Sequence, residues 1–270
     1  MRVADMTWQE YDAHIRRRIV VLPIGSIDGH GPHLPLSADT IISTYLAGQL
    51  DEHLGVLVLP PLSYGLRTDP AASGGQFPGV TNLRAATFTS IVLDVLRASY
   101  RHGARRLLLI DSHKVNLGAL REAVDLFMDA AADARVMAVT WWDVVSEDSR
   151  NMIAAETGVG RHDDHHSGMV ETSLVWHAEP QLVRPELLAD DSIPRRARYL
   201  IQPVPQDLHT NTGVVYRAAA ASPEIGARLM AEIVTNLVSA VALELSDAVP
   251  EEPGQPHPAS TAVGGRDAAE

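Results

Sequence analysis

The sequence predicts an α/β protein of a single domain, with a mostly parallel β-sheet flanked by helices on both faces. Three observations lead there. Short, almost unbroken apolar runs recur at residues 19–23, 55–61, 106–110 and 136–140, the pattern of strands covered on both faces. Longer stretches with apolar residues at helical spacing lie between them, as crossover helices between parallel strands require. A chain of 270 residues, 46% hydrophobic and 21% charged, can bury one large core.

Taken in order, Thr7 with Glu10 three residues on is a capping-box start for a first helix. The run 19–23 is the first strand, followed by a loop rich in Gly, Pro, His and Asp through residue 40. Ile41, Ile42, Tyr45, Leu46 and Leu50 share one helical face, so residues 39–53 are a helix with Asp39 at or near its start. Residues 55–61 make the second strand, and the long polar segment to about residue 82 has the length of a functional or disordered loop. Residues 83–103 are a helix with Gly103 just past its end, and 106–110 is a strand, apolar from Leu107 on, running into Asp111-Ser112-His113-Lys114-Val115-Asn116. A helix over 117–132, a strand over 136–140 and a loop at Trp141-Trp142-Asp143 follow. The His/Asp-rich stretch 161–168 leads into a helix that starts at Glu171-Thr172-Ser173. Residues 194–208 are irregular, and 225–245 form the last helix. Residues 1–246 thus form the domain, and the Pro/Gly/Ala/Glu-rich segment 247–270 is expected to be a disordered tail.

The chemistry concentrates where strands end. Asp28 and His30 follow the first strand, His113 the third, and Trp141 and Trp142 the fourth, and ligands of such sheets collect beyond the carboxyl ends of the strands. Neutral imidazole and carboxylate on a Gly/Pro-shaped loop can hold zinc, manganese or iron. The chain has no cysteine, so any metal is held by His and carboxylate. The alternatives are a solvated polar loop and, for Asp39, a plain helix N-cap worth about 1 kcal/mol.

The segment Gly25-Ser26-Ile27-Asp28-Gly29-His30-Gly31-Pro32-His33-Leu34-Pro35-Leu36, with Asp39 after it, resembles the signature of the creatininase family. Asp28 stands where the family has Glu, and Gly29 where it has Gln. The block around His113 and Asn116 resembles a second family motif, with Ser112, Lys114 and Val115 replacing flanking small or acidic residues. His166 to Ser173 resembles the family's His-Ala-Gly-x-x-Glu-Thr-Ser block, Ser167 replacing Ala. Near the end, Tyr216 and Arg217 replace the usual Gly-Asp. The likeness runs from about residue 5 to 245, in four blocks in the family's order.

That resemblance implies hydrolysis of a carbon–nitrogen amide bond by metal-activated water, with a small-molecule substrate. It implies one or two divalent ions per chain, Zn2+ first, Mn2+ or Fe2+ otherwise. Asp28, Asp39 and His113 would hold one, and His30, Asp39 and Glu171 the other. His166 would stabilise the oxyanion or protonate the leaving nitrogen, with Glu171 beside it, and Trp141 and Trp142 could wall the pocket. The family's Glu at position 115 is absent, so a single-metal or catalytically lapsed, binding-only member is the alternative. The family also implies a homo-oligomer, a hexamer. The formal net charge of −12 argues against nucleic acid as a partner. Neither a membrane span nor a signal-peptide core is expected from the sequence, so a cytoplasmic location is.

Overall fold

In the computed structural model, residues 1–68, 75–160, 162–192, 199 and 201–245 are described; the tail 247–270 lies outside them. Four strands form one all-parallel sheet: β1 (Val20–Ile24), β2 (Leu57–Val58), β3 (Arg106–Asp111) and β4 (Arg135–Thr140), in the order β2-β1-β3-β4. Among the described residues seven α-helices accompany them: α1 (Trp8–Ile15), α2 (Ala38–Leu54), α3 (Ala85–Arg101), α4 (Leu117–Met128), α5 (Glu147–Thr157), α6 (Met169–Ala178) and α7 (Pro223–Leu245).

Side chains alternate across each strand, and the core divides accordingly. Val20, Leu22 and Ile24 of β1 and Leu107 and Leu109 of β3 pack with Phe88, Leu96, Leu120 and Phe127 of α3 and α4. Val21 of β1 and Leu108 and Ile110 of β3 face the other way, onto α2, α6 and α7. The expected helices on both faces are therefore present. Register brings Ile24 beside Asp111 and Asp111 beside Thr140, so β1, β3 and β4 end level and their outgoing loops share one rim.

Several boundaries differ from expectation. The second strand is two residues long because Pro60 and Pro61 have no N–H to give to a ladder. Helix α4 ends at Met128 rather than 132, and Trp141–Asp143 is a 3-10 turn closed by Thr140 and Asp143 rather than an open loop. Helix α5 was not anticipated. Its ends carry ordinary signals, the Ser146 hydroxyl accepting from Ser149 N–H and Gly158 at φ +69°.

Helix α7 is long and apolar enough, by length and composition alone, to cross a membrane. Its Ile225, Leu229, Ile233, Leu237, Val241 and Leu245 form an every-fourth-residue stripe buried in the core, with Arg228, Glu232 and Thr235 off that stripe, so it packs as a core helix. Gly226 lets it approach α6 closely. A Cβ there would lie 1.9 Å from the Ser173 carbonyl oxygen.

Candidate metal centre

The rim above β1 and β3 is built by backbone contacts before any catalytic group is placed. Gly25 lies so near the start of α2 that a Cβ would sit 2.4 Å from the Thr40 nitrogen. The loop closes on itself where Asp28 N–H donates to the Leu36 carbonyl at 2.9 Å. Asp28, His30, His33, Asp39 and His113 all end up buried.

Asp39 is the centre. It lies in the first turn of α2, but the N-cap is Ser37, so the plain capping role does not apply. Its Oδ2 accepts from the Ser26 hydroxyl at 2.6 Å and from His113 Nδ1 at 2.9 Å. Its Oδ1 lies 3.4 Å from His30 Nε2. His30 spends its other nitrogen, Nδ1, on the Asp28 carbonyl at 3.2 Å, which fixes the ring and leaves Nε2 buried without a hydrogen-bond partner. A buried imidazole with one nitrogen anchored to a carbonyl and the other idle is the usual arrangement of a metal ligand.

Two groups of donors flank Asp39. On one side, atoms of His30, His166 and Glu171 lie within 4.8 Å of one another, close enough to share an ion. The His30 and His166 rings lie against each other, tilted by 44°, with centroids 4.3 Å apart. His166 Nε2 donates to the Gly29 carbonyl at 2.8 Å, and Glu171 accepts from Ser167 N–H at 2.6 Å. Ser167, at φ +54°, also donates its hydroxyl to the His30 carbonyl at 2.6 Å, so the two loops are tied at the site. On the other side, Asp28 accepts from Gly29 N–H at 2.8 Å and from the Thr68 hydroxyl at 2.7 Å, and that hydroxyl lies 3.3 Å from His113 Nε2.

Electrostatics reflect three carboxylates in a buried space. Burial opposes charge on His30, but Asp39, Glu171 and Asp28 outweigh it and push the imidazole up to about 10. His113 is also raised against its burial, by Asp39 first. Asp39 stays well below the usual carboxylate range despite burial, held by His30 and His113. Burial raises Glu171 to about 7, and Asp28 in the same direction. Burial and the neighbouring His30 cation lower His166 to about 3, so it is neutral at pH 7. Protons on His30 and His113 thus supply positive charge that a divalent ion would replace, and the donor set fits zinc or manganese.

All six residues singled out in the sequence, Asp28, His30, Asp39, His113, His166 and Glu171, converge here. His166 is nearer the metal donors than its separate sequence block implied. Val115 is 38% exposed and offers no ligand. Trp141 is buried in the core and meets Trp142 edge-on at 5.2 Å; the structure shows packing for this pair. His165 rests against the Tyr216 ring at 5.6 Å. Ser26 and Thr68 were missed: Ser26 sits inside the motif and could have been suspected, whereas nothing distinguishes Thr68 in its polar loop.

Comparison with known proteins adds to this geometry. The creatininase family model, described as creatinine amidohydrolase, matches residues 4–241. The creatinine amidohydrolase of Pseudomonas putida is 31% identical over 247 residues, 88% of this chain and 95% of that protein. The mycofactocin precursor peptide peptidase of Mycolicibacterium smegmatis is 29% identical over 185 residues, 65% of this chain and 64% of its own. A solved creatininase with manganese superposes with a TM-score of 0.84 at 30% identity, covering 90% of this chain and 98% of the other. A variant described as E122Q, Zn-Zn type, matches at the same TM-score, identity and coverage.

Proposed function

The chain belongs to the creatininase family of amidohydrolases, and on that premise we propose that it hydrolyses a carbon–nitrogen amide bond of a small molecule with the help of a divalent metal. The observation that carries this reading is the buried His30 Nε2, 3.4 Å from Asp39 Oδ1, converging with His166 and Glu171. Relatives act on creatinine and on a precursor peptide by their names, which supports amide hydrolysis as the shared chemistry.

Asp39, His30 and Glu171, with His166 in reach, would hold one ion, and Asp28, Asp39 and His113 a second. A divalent ion so held supplies Lewis acidity toward the amide carbonyl and lowers the pKa of water to roughly 7. The rest is done by the chain. Asp39, in reach of both imidazoles, fixes the separation of the two groups. Glu171, its carboxylate held by Ser167 N–H at 2.6 Å, is fixed in the orientation in which it would complete the donor group with His30 and Asp39. His166, neutral and with its Nε2–H on Gly29, offers Nδ1 as an acceptor or ligand. Zn2+ is the first candidate and Mn2+ the second, since solved relatives carry both.

The apolar, exposed Val115 favours one alternative, a single-metal or binding-only protein. We also propose a cytoplasmic homo-oligomer, hexameric; exposed Trp8, Met152 and Leu243 are side chains that contact with further copies would cover. The test is a panel of cyclic amides, formamides and short peptides offered to metal-loaded protein. Turnover of one class supports the hydrolase; metal uptake with no turnover across the panel leaves the binding-only reading.

A further inference from the structure

We infer that Thr68 is a positioning residue for the Asp28/His113 half of the centre, its hydroxyl holding the short Asp28 carboxylate against the His113 imidazole. The inference rests on the metal-dependent reading above. It starts from a problem specific to this chain. An Asp at position 28 reaches about 1.5 Å less than the Glu of the family signature, and a carboxylate that falls short of its ion needs something to fix where its oxygens point.

Both oxygens are fixed. Oδ1 takes Gly29 N–H, and Oδ2 takes the Thr68 hydroxyl at 2.7 Å. A hydroxyl has one proton to give and lone pairs to spare. With its proton on Asp28, Thr68 turns its lone pairs to His113 Nε2 at 3.3 Å. It therefore sets the spacing between the carboxylate and the imidazole from a point between them, and it is itself buried, 1% exposed.

Thr68 is held from both sides along the chain. Two residues before it, Leu66 N–H donates to Asn116 Oδ1 at 2.8 Å, and Leu83 N–H donates to the Gly65 carbonyl at 2.8 Å. Gly65 packs so closely that a Cβ would lie 2.9 Å from Asn116 Oδ1, the Gly25 carbonyl oxygen and Ser26 Cβ. Asn116 also donates to the Gly25 carbonyl at 3.2 Å and to Asp111 Oδ1 at 3.0 Å, so one amide ties this loop to the ends of β1 and β3. After Thr68, a Cβ on Gly75 would lie 2.3 Å from the Thr68 carbonyl oxygen. A site-facing hydroxyl braced this way has the character of an outer-shell partner, whose loss typically costs 10–100-fold in metal affinity.

The test titrates full-length, chelator-stripped protein with Mn2+ by calorimetry, with elemental analysis of the loaded protein. Thr68→Val, which keeps the shape, and Thr68→Ala both remove the hydroxyl; Thr68→Ser keeps it. The expected result is that one Mn2+ equivalent weakens 10–100-fold in Val and Ala while the other is unchanged, and that Ser binds within about threefold of the parent. Val and Ala binding both equivalents like the parent would overturn the inference, as would Ser failing alongside them, since packing would then explain the loss. A parent chain that takes up no Mn2+ or Zn2+ overturns the metal-dependent reading itself, an outcome distinct from the other two.

Discussion

Asp39 lies in contact with both imidazoles, and its substitution reads the whole centre at once. Asp39→Asn keeps the shape but removes the charge facing His30 and His113, and the expected result is loss of affinity at both cation positions, at least about 100-fold by calorimetry. His166 makes a different prediction. His166→Ala is expected to lower kcat/KM by about 10²–10⁴, roughly 3–5 kcal/mol of transition-state stabilisation, and His165→Ala to cost far less. Metal content of the two variants separates the roles, because a ligand takes its ion with it and a proton-transfer group does not. The titrating groups give a pH prediction with a definite sign. His30, raised to about 10, and Glu171, raised to about 7, both bind protons more tightly folded than unfolded. Their contributions to metal-free stability are full below about 6.5 for His30 and 4.5 for Glu171. They fade as pH rises through about 10 and about 7. Since a metal ion displaces protons, Mn2+ affinity should rise from pH 6 to 8, and thermal melts of the metal-free protein should fall over that span; flat affinity would contradict the protonated pair. These residues could be read from sequence because Asp and His were dense on a Gly/Pro loop and at strand ends. Thr68 could not, since a hydroxyl in a polar loop carries no periodicity and becomes informative only when its distance to a carboxylate is known; Ser26 had at least its place inside the motif.

At the level of elements, α6 carries Glu171 and is located by α7. Gly226 is the contact point, and Gly226→Ala forces α6 and α7 apart because its Cβ would fall 1.9 Å from the Ser173 oxygen. We expect a stability loss of about 1–3 kcal/mol in denaturant unfolding, together with weaker metal binding through displaced Glu171. Gly48→Ala in α2 is the control. Nothing lies within 4 Å of its Cβ, and a helical Gly→Ala there should stabilise by about 0.5–1 kcal/mol. Equal effects of the two would remove the argument that α7 sets the site. Strands β1 and β3 were legible because burial on both faces leaves unbroken runs, and β4 because residues 136–139 are apolar, although only its last two residues are buried. β2 was overestimated because its prolines continue an apolar run but cannot continue a ladder. α5 escaped because only Ile153 of its residues is buried, which leaves little periodicity to detect.

For the whole molecule, the fold class followed from strands alternating with helices, but the strand order β2-β1-β3-β4 did not, since periodicity identifies elements and not their neighbours. That order matters to function because it places β1 and β3 side by side, bringing Asp28, His30 and Asp39, which follow β1, to His113, which follows β3. Glu171 arrives from the first turn of α6, on the face that α7 covers, and His166 from the loop just before that helix. Light scattering at micromolar concentration is expected to give a closed oligomer, with a hexamer mass. The central claim, that this convergence is a metal-dependent amide-cleaving centre, is tested most directly by elemental analysis of protein purified without chelator, paired with its hydrolytic activity before and after metal removal. The account predicts at least one zinc, manganese or iron per chain, lost together with activity on chelation and restored with it. Amide hydrolysis at an undiminished rate by protein carrying no stoichiometric metal would contradict it.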